Sequence, residues 1–214
     1  MRSLVIASVL SAALLAHCQS AEPTAVIDTT AGRFTCTLFT HARPVTAARF
    51  IGLAEGTKPW TAPDGSAGGG KPFYDGTRIF PHSVGIAAGT RATPSQQPAG
   101  AAFAVETNPP LLFDRPGLLA MTISKGNAGP SRFLPGLTYD RPGRLAFGNG
   151  GPDTNNSELF FALNPMHVLD GGYTIIGQCD PASVAILESI AHLPRDASNH
   201  PIPPVVIRHI VIQP

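Results

Sequence analysis

Charged side chains are scarce in this chain, and their signs nearly balance. Of 214 residues, 15 are lysine or arginine and 14 are aspartate or glutamate, which gives a formal net charge of +1. The cations form no cluster along the sequence, so the basic patch that a nucleic acid or an anionic membrane surface requires is lacking. We therefore expect neither as a partner.

Long apolar runs are also lacking, with one short exception at the N-terminus. The segment MRSLVIASVLSAALLAHCQSAEP has an early arginine, an apolar run from Leu4 to Ala16, and then small and polar residues. A membrane-spanning helix needs about twenty apolar residues, so this run is too short, and its layout is that of a secretory signal. We predict a signal peptide at residues 1–21 and one domain at residues 22–214, exported to the periplasm or envelope.

Cysteine occurs only three times. Cys18 ends the sequence LAHC, which approximates the bacterial lipoprotein box but has a bulky histidine where a small residue normally lies. A lipid anchor at Cys18 and free secretion therefore remain alternatives. For Cys36 and Cys179 we favour two buried thiols in neighbouring strands, with a disulfide as the alternative in an oxidising compartment.

Glycine and proline are abundant, at 22 residues each, which favours short strands joined by many turns. Residues 25–39 alternate apolar and polar on both sides of Ala31-Gly32, which predicts a hairpin. Residues 57–72 carry glycine and proline without periodicity and predict an exposed connecting loop. Between Phe73 and Gly89 we expect a strand, a break at Pro81 and a second strand.

Two helices and a closing strand are predicted elsewhere. Helical spacing follows Pro44 and stops near Gly56, and it recurs at residues 181–193. The chain ends in an apolar strand at residues 205–212. Residues 113–121 are echoed at 139–147, which indicates a local duplication of a turn and a strand.

Four stretches, taken together and in order, resemble the cyclophilins, a family of peptidyl-prolyl cis-trans isomerases. They are VIDTTAGRFTCTLFTHARPVTAARFIGLAEGT, KPFYDGT, DRPGRLAFGNGGPDTNNSELFFAL and LDGGYTIIGQC. The resemblance implies a mainly β fold, a closed eight-stranded antiparallel barrel capped by two α-helices. It also implies a monomer that needs no cofactor and no metal, and that acts on proline-containing peptides or unfolded exported proteins.

The resemblance also implies a site for the proline ring. Phe160 would form its floor, with Leu169 and Phe147 as apolar walls and Tyr173 at the rim. Each of these could instead be an ordinary core residue of a barrel.

A neighbouring subsite would bind the main chain of the peptide. Asn149 and the backbone around Gly148 would line it, unless Asn149 is only a turn residue. Glu158 stands where the family usually has glutamine, which replaces a donor by an acceptor. Val168 stands where many relatives have a larger residue, and this thins one wall.

The largest departure concerns the catalytic arginine of the family. Counting from the YDG turn, Pro81 falls at its position, and Ala87 falls near the position of an expected glutamine. Loss of such a donor costs about 2.7–4 kcal/mol where catalysis depends on it. Two side chains could substitute: His82, and Arg78, which we expect to point away from the groove because a strand places it opposite Ile79.

Three functions remain open at this point. The first is an active isomerase that assists the folding of exported proteins. The second is a catalytically weak or inactive module that binds proline peptides as a chaperone, which Pro81 and Ala87 favour. The third, a structural envelope lipoprotein, rests on Cys18 alone.

Overall fold

Eight strands close into an antiparallel barrel in the computed structural model, which describes residues 21–60, 68–82, 85–90, 114–123, 155–170 and 174–214. In chain order the strands are β1 Thr24–Thr29, β2 Gly32–Leu38, β3 Arg78–His82, β4 Gly85–Thr90, β5 Leu118–Ile123, β6 Asn155–Ala162, β7 Thr174–Cys179 and β8 Val205–Gln213. Around the barrel they run β1-β2-β7-β5-β6-β4-β3-β8, and β8 pairs again with β1. The predicted closed eight-stranded barrel is confirmed.

The opening hairpin follows the predicted alternation. Strands β1 and β2 pair in register from Thr24 opposite Thr37 to Thr29 opposite Gly32, so Thr30 and Ala31 form the two-residue connection. Gly32 has a φ of +135°, which a residue with a side chain rarely adopts. The glycine at position 32 therefore supports the hairpin that the alternation of residues 25–39 predicts.

Two helices accompany the barrel, as predicted. Helix α1, Pro44–Ala54, begins with a proline in its first turn and is followed by Gly56, whose φ is +77°. Helix α2, Pro181–Ala191, begins after Asp180, whose carboxylate accepts a hydrogen bond from the Ser183 N–H at 2.7 Å. One turn of 3-10 helix, His167–Leu169, lies between β6 and β7.

Within the ranges given above, the buried apolar residues form two clusters. The inner cluster fills the barrel and the space beneath the helices, and it includes Ile27, Phe34, Phe50, Ile79, Leu159, Phe161 and Ile176. The outer cluster lies on the opposite face of β5, β6 and β7, and it consists of Leu118, Ala120, Phe160, Ala162, Met166, Leu169 and Ile175, with Phe39 packed against it. Alternation along β6 divides neighbouring residues between the two clusters.

Cys36 and Cys179 are joined by a disulfide, so our preference for two free thiols is wrong. The two residues lie directly opposite each other where β2 pairs with β7, and both belong to the inner cluster. They are 143 positions apart in sequence, and only the register of the sheet brings them together.

Strand β3 continues through Pro81 to His82, so the predicted break at Pro81 is also wrong. Pro81 pairs with Ile86, and its carbonyl accepts a hydrogen bond from Nδ2 of Asn199 at 3.0 Å. In an antiparallel strand the N–H and C=O of one residue point to the same side. The N–H that proline lacks would therefore face away from β4, and no ladder hydrogen bond is lost.

The predicted exposed loop at 57–72 is wrong at Trp60, which is buried in the inner cluster. The Trp60 ring packs edge-on against Phe73, and its Nε1–H donates to the Lys71 carbonyl at 2.9 Å. Gly68 lies so close to this ring that a Cβ there would be 2.0 Å from it. The Trp60 side chain thus packs one end of the segment 57–72 against the other.

The duplicated segment is described in its first copy. Gly117, with a φ of +81°, ends the turn of that copy, and β5 follows, as predicted. The second copy, at residues 139–147, lies outside the described residues.

Candidate active site

Strand β6 presents Phe160 on the outside of the barrel. Its neighbours Leu159 and Phe161 belong to the inner cluster, whereas Phe160 and Ala162 belong to the outer one. Phe160 is 4% exposed, so it is buried within the outer cluster.

Leu169 reaches Phe160 from the 3-10 turn. The turn is closed by hydrogen bonds from the Leu169 N–H to the Met166 carbonyl at 2.9 Å and from the Asp170 N–H to the His167 carbonyl at 3.1 Å. Met166 and Leu169 both enter the outer cluster, so the turn covers the outer face of the sheet. Phe160 and Leu169, which we predicted as floor and wall, are therefore brought together.

A row of four residues crosses the sheet on this outer face. Ala120 lies opposite Phe160, Phe160 opposite Ala87, and Ala87 opposite Phe80. Neighbouring strands are about 4.8 Å apart, so Phe80 stands roughly 10 Å from Phe160 with the small Ala87 between them. The predicted residue Ala87 thus lies next to Phe160, and Phe80 is a residue of this surface that our sequence analysis missed.

Gly85 was also missed, although a glycine inside a strand is a signal of close approach. A Cβ at Gly85 would lie 2.8 Å from Cε2 of Phe160 and 2.2 Å from the Phe161 carbonyl oxygen. The Phe160 ring therefore occupies space that any side chain at position 85 would take.

The strand geometry changes which residue of this chain corresponds in space to the family's arginine. Ile79 faces the inner cluster, and Pro81, two residues on, is buried on the same face. Phe80, not Pro81, therefore lies in the row with Ala87. Arg78 is exposed and lies on the opposite face from Ile79, as predicted, but Ile79 faces the interior, so this opposition does not turn Arg78 away from the outer face.

His82, the predicted substitute for the arginine, ends β3 opposite Gly85, and its side chain lies outside the described part. Phe147, Gly148, Asn149 and Tyr173 also lie outside the described residues, as does the side chain of Val168. Their proposed roles stay predictions.

Ionisable groups lie at the edge of the outer cluster. Glu158 is partly exposed on the same face of β6 as Phe160, and Nδ1 of His167 lies 2.9 Å from Oδ2 of Asp170. No group of three or more His, Cys, Asp or Glu side chains able to hold a metal occurs within the described ranges.

A buried tyrosine supports β6 from the inside. The Tyr74 hydroxyl donates to the Ser157 carbonyl at 3.0 Å. Burial raises the pKa of Tyr74 far above its ordinary value, so the hydroxyl keeps its proton and remains a donor. This contact ties the segment before β3 to the strand that carries Phe160.

The chemistry open to this surface is noncovalent. Rotation about an Xaa-Pro bond requires loss of amide resonance, with a barrier of about 18–20 kcal/mol, and no bond to carbon has to form. An apolar surface lowers this barrier by removing the peptide from water and holding the proline ring while the acyl side turns. The outer cluster is suited to that task.

Comparison with known proteins identifies the family. Residues 24–212 match the model for "Cyclophilin type peptidyl-prolyl cis-trans isomerase/CLD". The peptidyl-prolyl cis-trans isomerase A of Mycobacterium tuberculosis is 32% identical over 90% of this chain and 93% of its own length. That of Mycobacterium leprae is 31% identical over 92% of this chain and 100% of its own length.

Solved structures share the fold. A cyclophilin type isomerase of Cryptosporidium parvum superimposes with a TM-score of 0.65 at 23% identity, over 90% of this chain and 98% of that one. A second structure of the same protein, determined in the presence of the dipeptide Ala-Pro, gives a TM-score of 0.64 at 23% identity, over 89% of this chain and 99% of that one. The chain belongs to the cyclophilin type peptidyl-prolyl cis-trans isomerase family, which confirms the predicted family and the predicted isomerase class.

Proposed function

We propose that this protein catalyses cis-trans isomerisation of Xaa-Pro bonds with the outer cluster as its substrate surface. The observation that carries the proposal is that Phe160 and Leu169 meet on the outside of the barrel, apart from the residues of the inner core. An apolar cluster on an outer face, covered by a single 3-10 turn, is what a proline-ring site needs.

The described residues provide an apolar surface for binding the proline ring, but the side chains beside it provide no hydrogen-bond donor to the amide. The proline ring would rest on Phe160 and against Leu169, while the peptide crosses Ala87 toward Phe80. Phe80 and Ala87 carry no hydrogen-bond donor in their side chains. A donor to the twisting amide would come from His82 or Arg78, the two side chains that the sequence offers as substitutes for the arginine.

The alternative is a proline-peptide binding module with weak or absent catalysis. The specific observation in its favour is that Phe80 lies in the row beside Ala87, where a donor would be useful. Such a module would bind the same peptides through the same floor and wall, and would act as a chaperone.

We propose further that the clients are exported proteins and that the protein works as a monomer outside the cytoplasm. The support is the layout of residues 1–21, with Cys18 as the attachment point if the protein is lipid-anchored. No helix within the described ranges is long and apolar enough to cross a membrane.

The first experiment measures exchange of a short Ala-Pro peptide by NMR with the purified domain 22–214. We expect exchange faster than in buffer, and a loss of about tenfold or more in Phe160→Leu, which keeps an apolar side chain but removes the flat ring. Saturable binding with exchange at the buffer rate would favour the binding module. If the protein shows no peptide binding and no accelerated exchange, both the isomerase and the binding module are contradicted.

A matched control separates the site from general stability. Val211→Ala alters an exposed apolar residue on β8, which lies four strands from β5 around the barrel. We expect this variant to behave like the unmodified protein in both binding and exchange. Circular dichroism of each variant checks that the barrel remains folded.

A further inference from the structure

We propose that the pair formed by His167 and Asp170 positions Leu169 against Phe160, and that this pair sets the affinity for the proline ring. The inference rests on the proposed function, since it concerns the wall of the same site. It assigns a role to the first residue of the 3-10 turn, His167, and to the residue that follows the turn, Asp170.

The geometry of the pair is that of a charge-assisted hydrogen bond. His167 Nδ1 lies 2.9 Å from Oδ2 of Asp170. The Asp170 side chain is only 2% exposed, and that of His167 is 33% exposed. A buried carboxylate requires hydrogen-bond donors, so the imidazole stabilises Asp170 while keeping one edge at the surface.

The turn needs such support because it is short. It spans three residues, and turns of 3-10 helix have poorer hydrogen-bond geometry than an α-helix. The pair joins the first residue of the turn to the residue that follows it, and it closes the turn around Leu169.

The consequence is specific to binding. In the proposed function Leu169 contacts the proline ring through apolar surface, and such a contact is similar in the ground state and in the transition state. Loss of its correct position should therefore raise KM and leave kcat less affected. A residue that only stabilised the fold would not raise KM while leaving kcat less affected.

The test compares His167→Asn with His167→Phe. Asparagine places an N–H near the position of Nδ1, whereas phenylalanine keeps the ring and removes the donor. For an Ala-Pro peptide we expect KM to rise about five- to tenfold in His167→Phe and to stay within about twofold in His167→Asn. Amide hydrogen exchange of Asp170, measured without peptide, should quicken in His167→Phe and recover in His167→Asn.

A second histidine pair provides the matched control. His209 on β8 lies 3.0 Å from Asp75 on the exposed surface, on the far side of the barrel from β5. His209→Asn and His209→Phe should leave KM and the exchange of the Asp170 amide unchanged.

Two results would overturn the proposal. One is an unchanged KM and unchanged Asp170 exchange in His167→Phe, and the other is an equal loss in His167→Asn and His167→Phe. If the unmodified protein does not bind the peptide, the proposed function fails on its own. The exchange measurement in the peptide-free protein then still decides whether the pair holds the turn.

Discussion

At the scale of single residues, strand alternation decides which side chains can meet a substrate. The resemblance placed Pro81 at the position of a catalytic arginine, but Pro81 is buried on the face of Ile79. Phe80 is the residue that lies in the outer row with Ala87 and Phe160. A donor introduced at position 80 should therefore reach the substrate surface, and one introduced at position 81 should not.

This distinction can be tested by moving an arginine along β3. We expect Phe80→Arg to raise kcat/KM for an Ala-Pro peptide by about ten- to a hundredfold, because a guanidinium beside Ala87 can donate to the twisting amide. Pro81→Arg should give no gain and should lower the free energy of unfolding by about 3 kcal/mol or more, because it buries a charge. NMR exchange and urea unfolding measure the two effects.

The control for this pair is Phe80→Met, which keeps an apolar side chain at position 80 and adds no donor. It should leave kcat/KM within about threefold of the unmodified protein. A gain in Pro81→Arg, with none in Phe80→Arg, would show that our assignment of the outer row is wrong.

At the scale of elements, helix α2 is attached to β2 where the helix begins. The Asp180 N–H donates to the Thr35 carbonyl at 3.1 Å, and the Thr35 N–H donates to the Ser183 hydroxyl at 2.7 Å. Asp180 also caps the helix through its carboxylate, which bonds the Ser183 N–H. The cap and the junction between helix and sheet thus depend on the same few residues.

Removal of the cap should cost stability without changing the site. We expect Asp180→Ala to lower the free energy of unfolding by about 1 kcal/mol, because the Ser183 N–H loses its acceptor. Asp180→Asn, which keeps an oxygen in place, should lose about half of that or less. Urea unfolding measures both. Because Val184, Leu187 and Ile190 of α2 belong to the inner cluster, we expect KM to be unchanged in either variant, and a change in KM would contradict this expectation.

At the scale of the whole molecule, the disulfide links the first hairpin to the penultimate strand. Cys36 and Cys179 are separated by 143 positions, so the bond closes a loop that contains β3 to β6 and helix α1. A link across a long loop restricts the unfolded chain strongly, and the folded barrel gains stability from that restriction.

The double variant Cys36→Ala, Cys179→Ala should lower the free energy of unfolding by about 3–5 kcal/mol. Urea unfolding of the oxidised protein and of the variant measures the difference. The unmodified protein under reducing conditions serves as a control and should approach the variant. A loss below about 1 kcal/mol would mean that the link adds little to the barrel.

Much of the fold was within reach of sequence reasoning, since the hairpin at 25–39, both helices and the last strand have clear local patterns. Of the predicted site residues, Phe160 and Leu169 lie together in the outer cluster and Ala87 lies opposite Phe160, while their roles stay predictions. Gly85 and Phe80 were missed, because their importance depends on which strands are neighbours.

The periodicities, the turn and cap residues and the family follow from the order of the amino acids alone, because they depend on residues close together in the chain or on ordered motifs. Three features required the folded chain: Cys36 faces Cys179, Trp60 is buried, and Phe80 rather than Pro81 faces outward. Trp60 is buried through its contacts with Phe73 and Lys71, which follow it in the chain. The Cys36–Cys179 contact depends on the register between β2 and β7, and the outward face of Phe80 depends on the register between β3 and β4. A shift of one residue in either register would exchange the inner and outer faces.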